Sequence, residues 1–444
     1  MKKQPTNSRR NFIKKTAATS AGLAVGLSAK SYNRILGAND RINFGFIGLN
    51  GRGNALLAAV KATPNTGIAA LCDVDSKVLE KVKGKVKEEM NASTTDYKDY
   101  RKMLASKEID AIAIATPDHW HAPMAIDGLK AGKHVYVEKP CCHNPAEGEL
   151  LVKAQQKYGL QVQMGNQQRS GAVTRKAIQM IHDGVIGEVY HGKAWYSNTR
   201  GSIGRGKVAN VPDHLDWDLF QGPAPRVRYR DNLVHYNWHW FWNWGTGESN
   251  NNGTHEMDLC RWALQVEYPI KTSSSGGRFH FEDDWQFYDT QIVNFEFPGN
   301  KMITWEGRSC NGLEFWGRGR GVTIHGTEGS ILIDRNGYIH FDLKGKVIEE
   351  QKEKAMSATT NTVGRGLLDD LHMTNLCNGI REGEALHSPI WDGNVSNLMP
   401  HLANIAQECN AVIHTDPDTG HILSNKKAKS MWGRDYEPGW EPTI

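Results

Sequence analysis

No internal repeat and no low-complexity tract interrupts the sequence, which excludes a solenoid or a mostly disordered chain; 39% hydrophobic and 23% charged residues are a globular composition. Cysteine is sparse: the seven residues are an odd number without zinc spacing, and Cys141 and Cys142, being adjacent, are not expected to bridge to each other. Neither a structural metal nor a disulfide framework is therefore predicted. No apolar run is long enough for a membrane-spanning helix. Acidic residues are missing from positions 1–38, which hold eight Lys/Arg, so the remainder carries 45 basic and 49 acidic residues, a net of −4. That balance gives no reason to expect nucleic acid. Tryptophan is plentiful by contrast, with 14 residues unevenly placed. At 444 residues, two domains are expected rather than one core.

Ser8-Arg9-Arg10-Asn11-Phe12-Ile13-Lys14-Lys15, followed by an Ala/Gly-rich run, matches the twin-arginine export pattern. Small residues at Ala29 and Ala38 suit cleavage, and residues 1–38 are read as a signal that sends the folded chain to the periplasm. The other reading is a flexible basic tail. Folded export is compatible with free thiols.

Residues 41–54 read RINFGFIGLNGRGN: a β-type run, a glycine-rich turn and the start of an Ala/Leu helix. Gly48 and Gly53 hold the outer positions of G-x-G-x-x-G, while Asn50 replaces the middle glycine and Gly51 follows it. Backbone N–H groups at such a turn bind a pyrophosphate. Asn accepts positive φ better than most residues, which would excuse the substitution. A second strand ends at Asp73, twenty residues past Gly53, where a carboxylate would hold ribose hydroxyls and repel a 2′-phosphate. NAD is thus favoured over NADP, although Arg52 in the turn could contact phosphate. An ordinary βα turn with a solvated Asp is the alternative.

Further alternating strands and helices up to QVQMGNQQR predict a doubly wound parallel sheet. Asp73, Thr116, Pro117, Glu138, Lys139 and Asn166 fall at carboxyl ends of strands, where ligands of such sheets bind. In this order GLNGRG, CDVD, TPDHWH, AGKHVYVEKP and GNQQR resemble the Gfo/Idh/MocA oxidoreductases, over nearly all of the chain past residue 38. The resemblance implies an NAD-binding Rossmann domain, 39–165, and an α+β domain, 166–444, with an open, mostly antiparallel sheet for substrate binding and oligomerisation as a dimer or tetramer. It also implies that Lys139 of E-K-P stands by the nicotinamide and the reacting hydroxyl. A lysine there could have a lowered pKa and serve as base or relay; a surface salt bridge to Glu138 is the alternative. His119 and His121 of TPDHWH join Gly48, Asn50, Gly51, Arg52, Gly53, Asp73, Thr116, Pro117, Glu138 and Asn166 as expected cofactor contacts.

The family's Asp-x₃-His…Asp pattern places His255 as the second catalytic residue, with Asp258 one turn on, but Asn251 stands where the first Asp would be. Asn cannot take a proton, so Lys139 or His255 must. Asn251, Asp258, Arg169 and Tyr196 are expected substrate contacts. The insertion at roughly 198–248 contains HYNWHWFWNWGTGE; Trp238, Trp240, Trp242 and Trp244 either stack on a sugar or plug a core. His235 and His239 have helical ligand spacing without an acidic or cysteine partner nearby, and no metal is expected.

The resulting expectation is an NAD-dependent oxidation of a carbohydrate hydroxyl, for example at the 3-position of a glucoside. Export without a supply of soluble NAD requires a tightly held cofactor. It also keeps open the NAD-recycling glycosidases among the relatives, although those tend to lack the E-K-P lysine. A binding protein without turnover is a third class, favoured only by Asn251.

Overall fold

The computed structural model describes residues 41–353 and 365–444, so the export segment lies outside the described residues. Strands β1 (Ile42–Ile47), β2 (Thr66–Cys72), β3 (Thr95–Tyr97), β4 (Ala111–Ile114), β5 (His134–Val137) and β6 (Val162–Met164) form one sheet in the order β3-β2-β1-β4-β5-β6. Every pairing in it is parallel. Its central strands are short apolar runs because both faces are covered: all four residues of β4 are buried. Helices α1 (Gly51–Ala62), α2 (Ser76–Met90), α3 (His121–Lys130) and α4 (Pro145–Tyr158) connect the strands. Their starts are encoded locally. Asp75 caps α2 by accepting from the N–H groups of Lys77 and Val78, and Asn144 caps α4 just before Pro145. The strand order changes direction between β1 and β4, which opens a crevice above their carboxyl ends.

After α5 (Ala172–His182) the chain builds a second sheet from β7 (Val189–Ser197), β8 (Lys271–Gly277), β9 (Thr290–Phe297), β10 (Lys301–Arg308), β11 (Arg320–Gly326), β12 (Gly329–Asp334), β13 (Gly337–Asp342), β14 (Val347–Lys352) and β15 (Ile413–His414). Its order is β14-β13-β12-β11-β7-β10-β9-β8-β15, antiparallel except where β10 runs parallel to β7. Alternation decides its faces. Val293, Phe295, Ile303 and Trp305 point into one apolar core with Met257 and Cys260 of α6 (Gly253–Leu264), whereas Ile292 and Met302, one residue out of phase, are exposed.

Two carboxy-terminal helices, α7 (Leu367–Glu382) and α8 (Ile390–Cys409), follow. They dock on different sheets: α8 packs beside the second through Leu402, Ala403 and Ala406. Helix α7 returns to the first sheet, where Met373, Leu376 and Cys377 share a core with Leu56 and Val60 of α1. The insertion has only short helical pieces and shares a core with the stretch before β9: Trp217, Phe220, Trp240 and Trp244 are buried together with Trp285 and Phe287.

Candidate active site

The crevice begins at the turn between β1 and α1. Gly48 has φ +82°, and a Cβ there would stand 2.6 Å from the carbonyl oxygen of Ala115; at Gly53 it would stand 2.0 Å from that of Gly48. Both positions are therefore closed to side chains, and α1 starts against bare backbone. Asn50 has φ −74°, so it needs no left-handed tolerance, and the missing middle glycine costs nothing in backbone conformation. Asp73 accepts from the N–H of Leu49 (2.8 Å) and of Asp75 (2.9 Å), which holds the turn and the end of β2 together. Burial raises its carboxyl pKa despite those two bonds. Around it opens a cleft of about 750 Å³ lined by Gly48, Asn50, Asp73, Thr116, Pro117 and apolar or aromatic neighbours that include Trp120 and Phe220. Lys98 also lines it, paired with Asp216 at 3.0 Å.

A second chamber, about 1240 Å³, continues from the first and shares Asn50, Ala115, Thr116, His235 and Trp238 with it. Lys139 projects into it, and the alternative of a salt bridge to Glu138 is not what is seen. Its ammonium donates to the backbone carbonyl of Asn251 (2.6 Å) and to the Asn251 side-chain oxygen (3.1 Å). Burial lowers its pKa against the opposing pull of Glu138 and Asp118. His255 lines the same chamber; burial, with Arg335 and Arg320 adding to it, holds the imidazole well below its ordinary pKa. The neutral ring has a buried Nε2 with no hydrogen-bond partner among the described residues. Thr116 Oγ1, on the shared wall, is likewise unpartnered.

His121 holds this end in place, with Nδ1 2.6 Å from the Pro140 carbonyl and Nε2 2.9 Å from that of Thr116. It thus ties the TPDHWH turn to the turn carrying Lys139, and its ring is committed to backbone oxygens. Glu138 is committed too. It receives Arg52 Nε (2.7 Å) and Gln167 Nε2 (3.0 Å), while Arg52 also pairs with Asp369 of α7 at 2.5 Å. Arg52, expected at a phosphate, therefore lines the second chamber with its guanidinium drawn to two carboxylates.

Several expected site residues are not brought to the crevice. Arg169 and Asp258, expected at the substrate, form a buried bidentate pair with both bonds at 2.7 Å, extended by Asp392, Arg261 and Ser396. They clamp α6 to α8 and do not line either chamber. His119 packs beneath the floor with Nε2 2.9 Å from the Phe220 carbonyl, and Asn166 is buried off the crevice with its amide unpartnered. Asn251 and Tyr196 do line the second chamber; burial and Glu248 push the Tyr196 phenol up to about 12.

The chamber also contains residues that sequence reasoning missed: Asp118, Arg200, Tyr236, Asn252 and Arg335. Arg200 pairs with buried Glu248 at 2.6 Å, and burial opposes that carboxylate's charge less than Arg200 and its hydrogen bonds support it, so its pKa falls. Arg200 and Arg335 come from separate loops that no motif flags, whereas Asp118, Tyr236 and Asn252 lie inside quoted motifs without standing out there. Of the four neighbouring tryptophans, only Trp238 lines the chamber, stacked on His239 at 3.6 Å between ring centroids. Trp240 stacks on Trp285 at 3.9 Å, Trp242 packs on Phe287, and Trp244 is buried, all as core.

Comparison with known proteins agrees with this geometry. Residues 42–166 match the model of the oxidoreductase family Gfo/Idh/MocA, NAD-binding Rossmann fold, and residues 224–332 match the Gfo/Idh/MocA C-terminal domain. Together they take in more than half of the chain. The chain belongs to the Gfo/Idh/MocA family. Among solved structures it resembles the WlbA dehydrogenase of Bordetella pertussis in complex with NADH and UDP-GlcNAcA (TM-score 0.63, 18% identity, 85% of this chain and 99% of that one). It is similarly related to the aldose-aldose oxidoreductase of Caulobacter crescentus (TM-score 0.63, 17% identity, 84% and 99%). By sequence it is 29% identical over 208 residues to a glycosyl hydrolase family 109 protein of Shewanella baltica, covering 42% of this chain and 45% of the relative. A family 109 protein of Saccharopolyspora erythraea gives 29% over 209 residues, 43% and 45%. The chain thus spans a little under half the length of these relatives.

Proposed function

We propose that the chain is an NAD-dependent oxidoreductase acting on a hydroxyl of a sugar or glycoside. The carrying observation is that Lys139 and His255 line one chamber continuous with the glycine cradle. The cradle fits the cofactor: Gly48 and Gly53 leave room only for bare backbone, and Thr116 Oγ1 offers an unused polar atom on the shared wall. Gly48, Asn50, Gly51, Gly53, Asp73, Thr116 and Pro117 would hold it, and NAD supplies the acceptor for the hydride leaving the sugar carbon. NAD is preferred to NADP because Asp73 lines the adenosine end, while Arg52 lies in the other chamber. Lys139 Nζ, poised by Asn251 and with a lowered pKa, takes the hydroxyl proton. His255 Nε2 accepts a hydrogen bond from the same or the adjacent hydroxyl.

A glycosidase reading is favoured by the family 109 relatives. In it the same oxidation is transient, the aglycone is eliminated, water adds, and the hydride returns. One experiment separates the two. The protein, purified without added cofactor, is mixed with a chromogenic glucoside while absorbance is followed at 340 nm and at the aglycone's band. A lasting 340 nm band with the aglycone intact supports the dehydrogenase; release over many turnovers without a lasting band supports the glycosidase.

We further propose residues 1–38 as a twin-arginine signal, residues 39–165 and 166–444 as the two domains, periplasmic residence with tightly held NAD, and a homo-oligomer formed through the open face bearing Ile292 and Met302. Replacing Arg9 and Arg10 by Lys should retain the precursor in the cytoplasm, and light scattering reports the mass in solution.

A further inference from the structure

Arg335 sits in the turn Asp334–Gly337 between β12 and β13. The turn is pinned: Asp334 accepts from the N–H of Asn336 at 2.8 Å and pairs with Arg318 at 2.7 Å. Its side chain reaches the second chamber beside His255. Nε and Nη2 are both shielded from solvent and have no hydrogen-bond partner, and Arg335 makes no ion pair among the described residues. The nearest acids belong to other cations: Glu256 pairs with Arg320 at 2.8 Å, and Asp369 with Arg52 at 2.5 Å.

The two unused donors are those of one edge of the guanidinium. Elsewhere in this chain, Arg169 uses the same edge, with Nε and Nη2 each 2.7 Å from one oxygen of Asp258. That edge matches a planar carboxylate bidentately. A guanidinium edge shielded from water and left empty is costly and implies a partner that arrives with the ligand.

We propose that the substrate carries a carboxylate and that Arg335 receives it through this edge, so that the chain acts on a sugar acid. This rests on the oxidoreductase reading of the crevice. Both donors are shielded in this structure, so binding requires the side chain to turn this edge toward the chamber. Binding neutralises the charge that weighs most on His255 after burial itself. An acidic substrate thereby strengthens the proton acceptor beside its own hydroxyl.

The test uses the full chain with added NAD, following 340 nm absorbance with glucuronate, glucose and glucose 6-phosphate. Calorimetry of glucuronate binding runs beside it and does not depend on turnover. Glucuronate should be preferred over glucose by roughly tenfold to a hundredfold in kcat/KM. Arg335→Lys, which keeps the charge and loses the edge, should remove most of that preference, read as a much larger rise in KM for glucuronate than for glucose. Equal use of acid and neutral sugar, or preference for the phosphate, would overturn the proposal. So would an equal loss with all sugars accompanied by weaker NAD binding, which would make the cofactor the partner. If NAD does not bind at all, the oxidoreductase reading fails, and calorimetry still decides whether Arg335 holds a carboxylate.

Discussion

The two ends of the crevice are built from different materials. At the proposed adenosine end, backbone and mostly apolar side chains surround Asp73, with Lys98 and Asp99 beside it. At the proposed reacting end, Lys139, Arg200, the Asn251–His255 stretch and Arg335 converge from four segments that are far apart in sequence. The first end works by shape and tolerates little bulk. The second works by charge held out of water, where each group changes its neighbours' proton affinity. The former should therefore fail through binding and folding, and the latter through rate.

The sharpest test is Lys139→Ala. It should lower kcat by about 10²–10⁴-fold, the usual contribution of a positioned acid–base group, while bound nucleotide remains detectable in the purified protein. A comparable loss of nucleotide would erase the distinction between the ends.

Next comes the pair of neighbouring tryptophans. Trp240→Ala removes a ring that is 1% exposed and stacked on Trp285, and should destabilise by about 3–5 kcal/mol in urea unfolding. Trp238→Ala should cost far less stability and raise KM for the sugar. Reversed outcomes would move the chamber wall.

Asp73→Asn keeps an acceptor for the Leu49 N–H and removes the charge. NADP should then gain on NAD by about tenfold or more, read from the ratio of dissociation constants. The expected effect on kcat is small.

The smallest effect is on pH. Burial lowers the folded-state pKa of His372 to about 4, and that of His255 well below its ordinary value. An unfolded histidine titrates near about 6.5, so between the two values the unfolded chain binds more protons. The stability from each neutral ring is complete above about pH 6.5 and is lost as pH falls toward the folded value. The slope is at most about 1.4 kcal/mol per pH unit for each ring. Urea midpoints at pH 7.5 and 5 check the sign, and His372→Asn should flatten the fall without touching the crevice.

Legibility follows the same division. Gly48, Gly53 and Asp73 could be read because a glycine turn followed by an acid at the next strand end is a local constraint on backbone and spacing. Lys139 and His255 stood out because they lie at a strand end and near a helix start, in motifs that survive as short words. Arg169 and Asp258 misled for the same reason: both fall next to such positions, yet each is the other's partner across 89 residues. Nothing in either local context signals that. Arg200 and Arg335 were invisible because an arginine in a loop has no pattern until its surroundings are known.

Spacing along the chain by itself determined the alternation of strands and helices, the parallel sheet and the glycine turn, whereas the mostly antiparallel sheet after it was implied by the family resemblance. Tertiary structure decided which charges are paired and which are left facing the chamber, where α7 docks, and which tryptophan meets the crevice. Those outcomes depend on what lies across space from a residue, and burial strengthens unpaired and paired charges alike by removing the water that would have made them equivalent.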